Sequence, residues 1–150
     1  MITPWRTHRR RRTRPRRRPS AASDAHYRTH RAAARAVLVA RVEALSAQHG
    51  FTYNRIAIRN TLTRWGSCSS RKNINLHYGL AFLPPAVRDY VIVHELCHLR
   101  ELHHGAAFWA RVAQIMPDYR THRRALRAYA PHTIVRMTHM SPHEDFGIGA

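Results

Sequence analysis

Acidic side chains are scarce in this sequence of 150 residues, which has 8 Asp and Glu against 26 Lys and Arg and a formal net charge of +18. The acid cluster that would hold Mg²⁺ and a Gly-rich phosphate loop are both missing, which argues against a nucleotide hydrolase. Lysine is almost absent, because Lys72 is the only one and all other cations are Arg. The Arg excess indicates either a polyanionic partner or a coding bias toward Arg and Ala.

Cysteine and long apolar runs are also rare. Cys68 and Cys97 are too few for a disulfide framework, and they suit a reducing compartment. No stretch approaches the ~20 apolar residues of a membrane span, and the basic N-terminus is not followed by an apolar signal core. These absences predict a cytoplasmic protein, and the length allows one compact domain with tails.

The N-terminal segment is the most basic part of the chain. Residues 1–20 contain three Pro, no acid and nine Arg, which are Arg6, Arg9, Arg10, Arg11, Arg12, Arg14, Arg16, Arg17 and Arg18. A segment of this composition cannot bury a core, which predicts a disordered tail over residues 1–22. We interpret it either as an arm that binds nucleic acid non-specifically through residues 1–20, or as an incidental extension.

Hydrophobic periodicity predicts one α+β domain over residues 23–131. Apolar residues at three- and four-residue spacing predict a helix from Ser23 to about Gln48, with Ser23 or Asp24 as its N-cap. Over residues 51–80 the period changes to two, which predicts three antiparallel strands packed against helices.

The second half of the chain is predicted to be helical. Leu83-Pro84-Pro85 ends the strand region, and a strongly apolar helix follows from about Pro85 to His103, which indicates burial. Two short C-terminal helices come next. Residues 132–150 show no periodicity, which predicts a loose tail.

One stretch of the buried helix has the residues of a metal-dependent hydrolase. His94-Glu95-Leu96-Cys97-His98 has HExxH spacing, which on an α-helix brings the two imidazoles to one face with Glu95 beside them. In such sites three protein ligands hold Zn²⁺, which lowers the pKa of a bound water from ~15.7 toward ~7. The alternative is a helix that merely contains two His, which would leave polar groups without partners on a buried helix.

The residues alone leave the third ligand open. Glu101 lies on the same helical face as His94 but ~10 Å along the axis, so we interpret it as an outer or surface acid. No acid occurs between Glu101 and Asp118, which favours a histidine just past the helix end. His103 and His104 both qualify.

Several motifs, taken in order, resemble a known family. They are Arg64-Trp65-Gly66-Ser67-Cys68-Ser69, Asn73-Ile74-Asn75-Leu76, Leu83-Pro84-Pro85, His94-Glu95-Leu96-Cys97-His98-Leu99, His104, Phe108-Trp109 and Pro117-Asp118. Over roughly residues 30–130 the chain is similar to YgjP-like metallopeptidases, which are related to SprT-like and WLM peptidases, and neither tail matches. The resemblance implies a small gluzincin-like α+β domain and a Zn²⁺ site of His94, His98 and His104, with Glu95 as catalytic base.

Motif and resemblance together predict a zinc-dependent metallopeptidase that cleaves a peptide or protein substrate with a zinc-activated water and Glu95 as general base. Two alternatives are metal-dependent nucleotide pyrophosphate hydrolysis, ascribed to similar proteins, and nucleic-acid-associated proteolysis recruited by the Arg-rich tail. Trp65 and Gly66 are interpreted as core and tight bend, or as a strand that binds an extended peptide with Asn73 and Asn75 on the exposed edge.

Overall fold

The computed structural model describes residues 18–140 of the chain. The predicted tail over residues 1–22 therefore lies mostly outside the described residues, and so do residues 141–150 of the predicted C-terminal tail. The described residues form an α+β fold of five α-helices and one three-stranded sheet, which confirms the predicted class.

The first helix, α1, runs from Ala21 to His49 and begins earlier than predicted. The reason is its N-cap: the Ser20 hydroxyl oxygen accepts a hydrogen bond from the backbone N–H of Ser23 at 3.2 Å. The helix ends at Gly50, whose φ of 66° is the left-handed conformation that glycine adopts without steric cost. Its inner face buries Ala34, Leu38, Val42 and Leu45.

The sheet contains β1 (Arg55–Arg59), β2 (Gly66–Cys68) and β3 (Asn73–His77), in the order β1-β3-β2. β2 is antiparallel to β3, whereas β1 is parallel to it, so the prediction of three antiparallel strands is wrong. Residues 60–65 connect β1 to β2, which lies on the other side of β3. The turn after β2 then reverses the direction of the chain into β3. Because β3 is central, its Asn residues do not lie on an exposed edge; β2 is an edge strand.

The helix α2 (Pro85–Cys97) is the centre of the core and contacts α1, β2, β3 and the next two helices, α3 (Ala106–Ile115) and α4 (Tyr119–Leu126). Pro85 suits the first turn, where a backbone N–H has no helical partner. Its buried side chains are those of Val87, Tyr90, Val91, Ile92, Val93, Glu95, Leu96 and Cys97. Within residues 18–140, no helix combines the length and the apolarity that a membrane crossing requires.

A fifth helix, α5 (Ile134–Met140), follows a 3₁₀ turn and packs on α1, so three helices rather than two come after α2. The predicted loose tail is therefore wrong for residues 132–140. Ile134 is fully buried, and a Cβ added to Gly79 would lie 2.5 Å from its Cγ1. So few core-facing residues in so short a helix give no readable period, which is why the sequence pattern misses it.

Candidate metal centre

The HExxH residues lie where α2 ends. His94 and Glu95 belong to its last turn, and His98 is the C-cap residue, so the helix is shorter than the predicted span to His103. Beyond Cys97 the backbone bonds tighten, because the N–H of Leu99 bonds to the carbonyl of Leu96, three residues back, at 3.0 Å. This early end lets the chain turn back toward His94 before α3 begins.

The turn brings His104 to the two helical histidines. The Nε2 atoms lie 3.2 Å apart for His94 and His98, and 3.0 Å apart for both pairs that include His104. A tetrahedral Zn²⁺ with Zn–N bonds of about 2.0–2.1 Å requires nitrogens about 3.3 Å apart, so the triangle is close to the size of a zinc site. Within residues 18–140 these three form the one group of His, Cys, Asp and Glu with metal-binding spacing.

Hydrogen bonding among the rings cannot account for this triangle. His98 Nδ1 lies 2.9 Å from the backbone carbonyl oxygen of Glu101, so Nδ1 carries the proton and donates it. In the neutral ring, Nε2 of His98 then presents a lone pair. Three close pairs would need three protons on Nε2 atoms, and neutral His94 and His104 supply at most two. A cation satisfies all three lone pairs.

Burial keeps His94 in the form that binds metal. Burial, with smaller effects of the neighbouring imidazoles of His98 and His104 and of the charge of Arg123, lowers the pKa of His94 to about 3. At neutral pH the ring is therefore uncharged and its nitrogen is available.

Aromatic packing orients the three imidazoles. Phe108 of α3 is fully buried, and its ring centroid lies 4.9, 4.5 and 4.8 Å from those of His94, His98 and His104. Trp109 stacks on His104 at 5.8 Å. A rigid apolar surface thus lies under the nitrogen triangle, whereas the sequence marked Phe108-Trp109 only as one of the motifs that carry the family resemblance.

Glu95 is 6% exposed and lies beneath β2. A Cβ built on Gly66 would come 2.7 Å from both Cγ and Oε1 of Glu95, so only glycine fits where the strand crosses the carboxylate. This close approach, rather than a tight bend, explains the glycine. Burial raises the pKa of Glu95 to about 8, and the positive charge of Arg64 opposes the shift.

A cavity of about 200 Å³ opens beside Glu95 and His94. β2 and the residues before it form one wall, and α2 and α4 form the others; the remaining lining residues are Arg64, Trp65, Gly66, Tyr90, Val91 and Leu126. The site therefore combines three convergent nitrogens, one buried carboxylate and space for a reactant.

The other candidates from the sequence lie apart from the nitrogen triangle. His103 is exposed, and Glu101 contributes its backbone carbonyl to His98 while its carboxylate pairs with Arg111 at 3.5 Å. Cys68 is a free thiol in β2, and burial, with a smaller effect of Glu95, raises its pKa to about 11. Cys68 does not belong to the group of described residues whose ligand atoms have metal-binding spacing.

Comparisons with known proteins concern the family of the chain and its fold. The sequence model of the YgjP-like family, described as a metallopeptidase domain, matches residues 2–129. The match begins in the Arg-rich segment, so the expectation that the N-terminal tail lies outside the resemblance is wrong. The comparison with curated proteins gives no match.

A solved structure, that of the metallopeptidase zymogen of Pyrococcus abyssi abylysin, has a similar fold with a TM-score of 0.54. The two sequences are 20% identical, and the alignment covers 61% of this chain and 93% of that one. At this identity the likeness concerns the fold.

Proposed function

The chain belongs to the YgjP-like metallopeptidase family, and from that premise we propose that it is a zinc-dependent peptidase in which Glu95 is the general base. The observation that carries the proposal is the triangle of Nε2 atoms, 3.0–3.2 Å on a side, beside a buried carboxylate. A gluzincin-like arrangement of the fold and cytoplasmic location belong to the same proposal.

His94, His98 and His104 would hold the ion through their Nε2 atoms. A bound zinc ion would polarise a peptide carbonyl, lower the pKa of a water molecule and favour the carboxylate form of Glu95. Glu95 accepts a proton from the attacking water and passes it to the leaving amine. In the absence of the ion, burial raises the pKa of Glu95, and a carboxylate with a raised pKa is the stronger base once it is ionised.

The edge strand β2 offers a place for the substrate backbone. One side of β2 pairs with β3, and Gly66 at its start touches Glu95. An extended peptide that adds to the other side would pass directly over the carboxylate. Because Gly66 contacts Glu95, a peptide bound along β2 would lie next to the general base.

A Cβ at position 66 should test this link. We expect Gly66→Ala to lower kcat/KM by about 100-fold, because the Cβ displaces Glu95 and a shift of about 1 Å in catalytic geometry has that effect. Zinc content should stay unchanged, since the three atoms nearest to this Cβ all belong to Glu95 and none to a metal ligand. Gly105→Ala is the matched control, because a Cβ there meets nothing within 4 Å. Equal loss in both variants would contradict the positioning role.

The direct test of the proposed function uses protein stripped by a chelator and then reloaded with Zn²⁺. The substrates are casein, basic DNA-binding proteins and nucleoside triphosphates, each with and without DNA. We expect peptide products from the zinc-loaded protein and none from the stripped protein. Pyrophosphate release without peptide products would instead favour the nucleotide hydrolase, and cleavage only with DNA would favour the recruited protease. Nucleic-acid binding through residues 1–20 stays a prediction.

A further inference from the structure

A second, larger groove of about 1170 Å³ adjoins the catalytic cavity. The connection between β1 and β2 supplies the longest continuous part of its lining, which also includes residues 18–20 before α1 and Asn75, Leu76 and His77 of β3. Arg64, Trp65 and Gly66 line both the groove and the smaller cavity. A chain bound in the groove therefore reaches Glu95 without leaving the surface of the protein.

The groove is positively charged. Among residues 18–140, its lining includes Arg18, Arg59 and Arg64, which are exposed, and no Asp or Glu. Asp24 lies nearby, but its carboxylate accepts a hydrogen bond from the Asn60 side chain at 2.9 Å and does not line the groove.

These arginines differ from others in the same structure that lie beside acids. Arg41 pairs with Asp89 at 2.8 Å, and Arg111 pairs with Glu101 at 3.5 Å. In the described part of the chain, the groove arginines take part in no ion pair. Their guanidinium groups are thus free to form two-point contacts with carboxylates of a ligand.

Hydrogen bonds fix the shape of the groove. The Thr61 hydroxyl donates to the backbone carbonyl of Arg64 at 2.7 Å, and Asn75 donates to the Ser67 hydroxyl at 3.2 Å. Trp65 packs edge-on against buried His77 at 5.4 Å. The loop that holds Arg64 is therefore closed by its own hydrogen bond and packed against β3, and Arg59 is part of the sheet as the last residue of β1.

We propose that this groove binds acidic side chains of the peptide substrate, on one side of the bond to be cleaved, through Arg59 and Arg64. The inference rests on the proposed peptidase function and adds a substrate class to it. A peptide is favoured over single-stranded nucleic acid because the groove leads onto the β2 edge, where backbone pairing is available.

Binding to zinc-loaded Glu95→Gln protein tests the inference without turnover. The probes are two fluorescent peptides of equal length, one with a run of Glu at one end and one with Gln at the same positions. We expect the acidic peptide to bind about tenfold more tightly at low ionic strength, and the difference to disappear at high salt. Adding Arg59→Gln and Arg64→Gln together should reduce its affinity to that of the Gln peptide, and Arg59→Gln alone should give part of the loss.

The matched control removes the same charge elsewhere. Arg28→Gln with Arg35→Gln changes two exposed arginines of α1 that line neither cavity. The proposal is overturned if both peptides bind equally, if the control pair weakens binding as much, or if a single-stranded oligonucleotide binds more tightly than the acidic peptide and depends on Arg59 and Arg64. Failure of the proposed function looks different: wild type then cleaves neither peptide, although Arg-dependent binding persists.

Discussion

Replacing Glu95 with Gln is expected to lower kcat/KM by about 10²- to 10⁴-fold while the protein keeps its zinc. Gln has nearly the same shape as Glu, so it should occupy the same space under Gly66. It cannot accept a proton at neutral pH, and removing a positioned general base has an effect of this size. Peptide cleavage, zinc content and thermal unfolding, measured on the same preparations, separate lost chemistry from lost folding.

Glu101→Gln is the matched control for this change. Its carboxylate pairs with Arg111 at 3.5 Å, both side chains being partly exposed, and the Glu101 group that contacts His98 is the backbone carbonyl, which the substitution keeps. We expect activity within a few-fold of wild type, because an ion pair that is partly open to solvent contributes little to stability. Wild-type turnover by Glu95→Gln protein would disprove the assignment of the base, and an equal loss in both variants would show an effect of charge alone.

The strands were located from the sequence, but their directions were not. Alternating apolar residues in β1 and β3 show which side chains face the core, and a parallel and an antiparallel neighbour produce the same alternation. The order of strands depends on residues 60–65, whose path is fixed by contacts such as the hydrogen bond from the His77 N–H to the Trp65 carbonyl at 2.8 Å. Bonds of this kind join distant parts of the chain and leave no local period.

In the site too, the sequence predicts what the helix itself fixes and misses what distant contacts fix. The spacing of His94 and His98 is a property of the helix itself, so their proximity follows from the sequence. The groups that set their chemistry come from packing and backbone: the Glu101 carbonyl fixes the tautomer of His98, and Phe108 supports all three rings. A backbone carbonyl has no sequence signature, which is why reasoning from residue types assigned Glu101 an outer role through its side chain.

The choice between His103 and His104 was made by resemblance and leads to a sharp prediction. We expect His104→Ala to weaken zinc binding by more than about 100-fold, because outer-shell partners of metal ligands already contribute 10- to 100-fold. His103→Ala should leave zinc affinity unchanged. Both side chains are exposed, and the bond from Gly105 N–H to the His103 carbonyl at 2.8 Å survives truncation to Ala.

Competition with a chromophoric chelator measures the two affinities at fixed pH, and unfolding of the zinc-free proteins checks that each variant folds. His104→Ala also removes ring contacts with Phe108 and Trp109, so the unfolding measurement is needed to show that the fold is kept; a large difference in zinc affinity between neighbours then comes from coordination. Equal affinities would assign the third ligand elsewhere and would leave the 3.0 Å approach of His104 to His94 and His98 without a metal to explain it. Comparing the His103→Ala and His104→Ala variants therefore tests whether the nitrogen triangle binds metal, independently of any substrate.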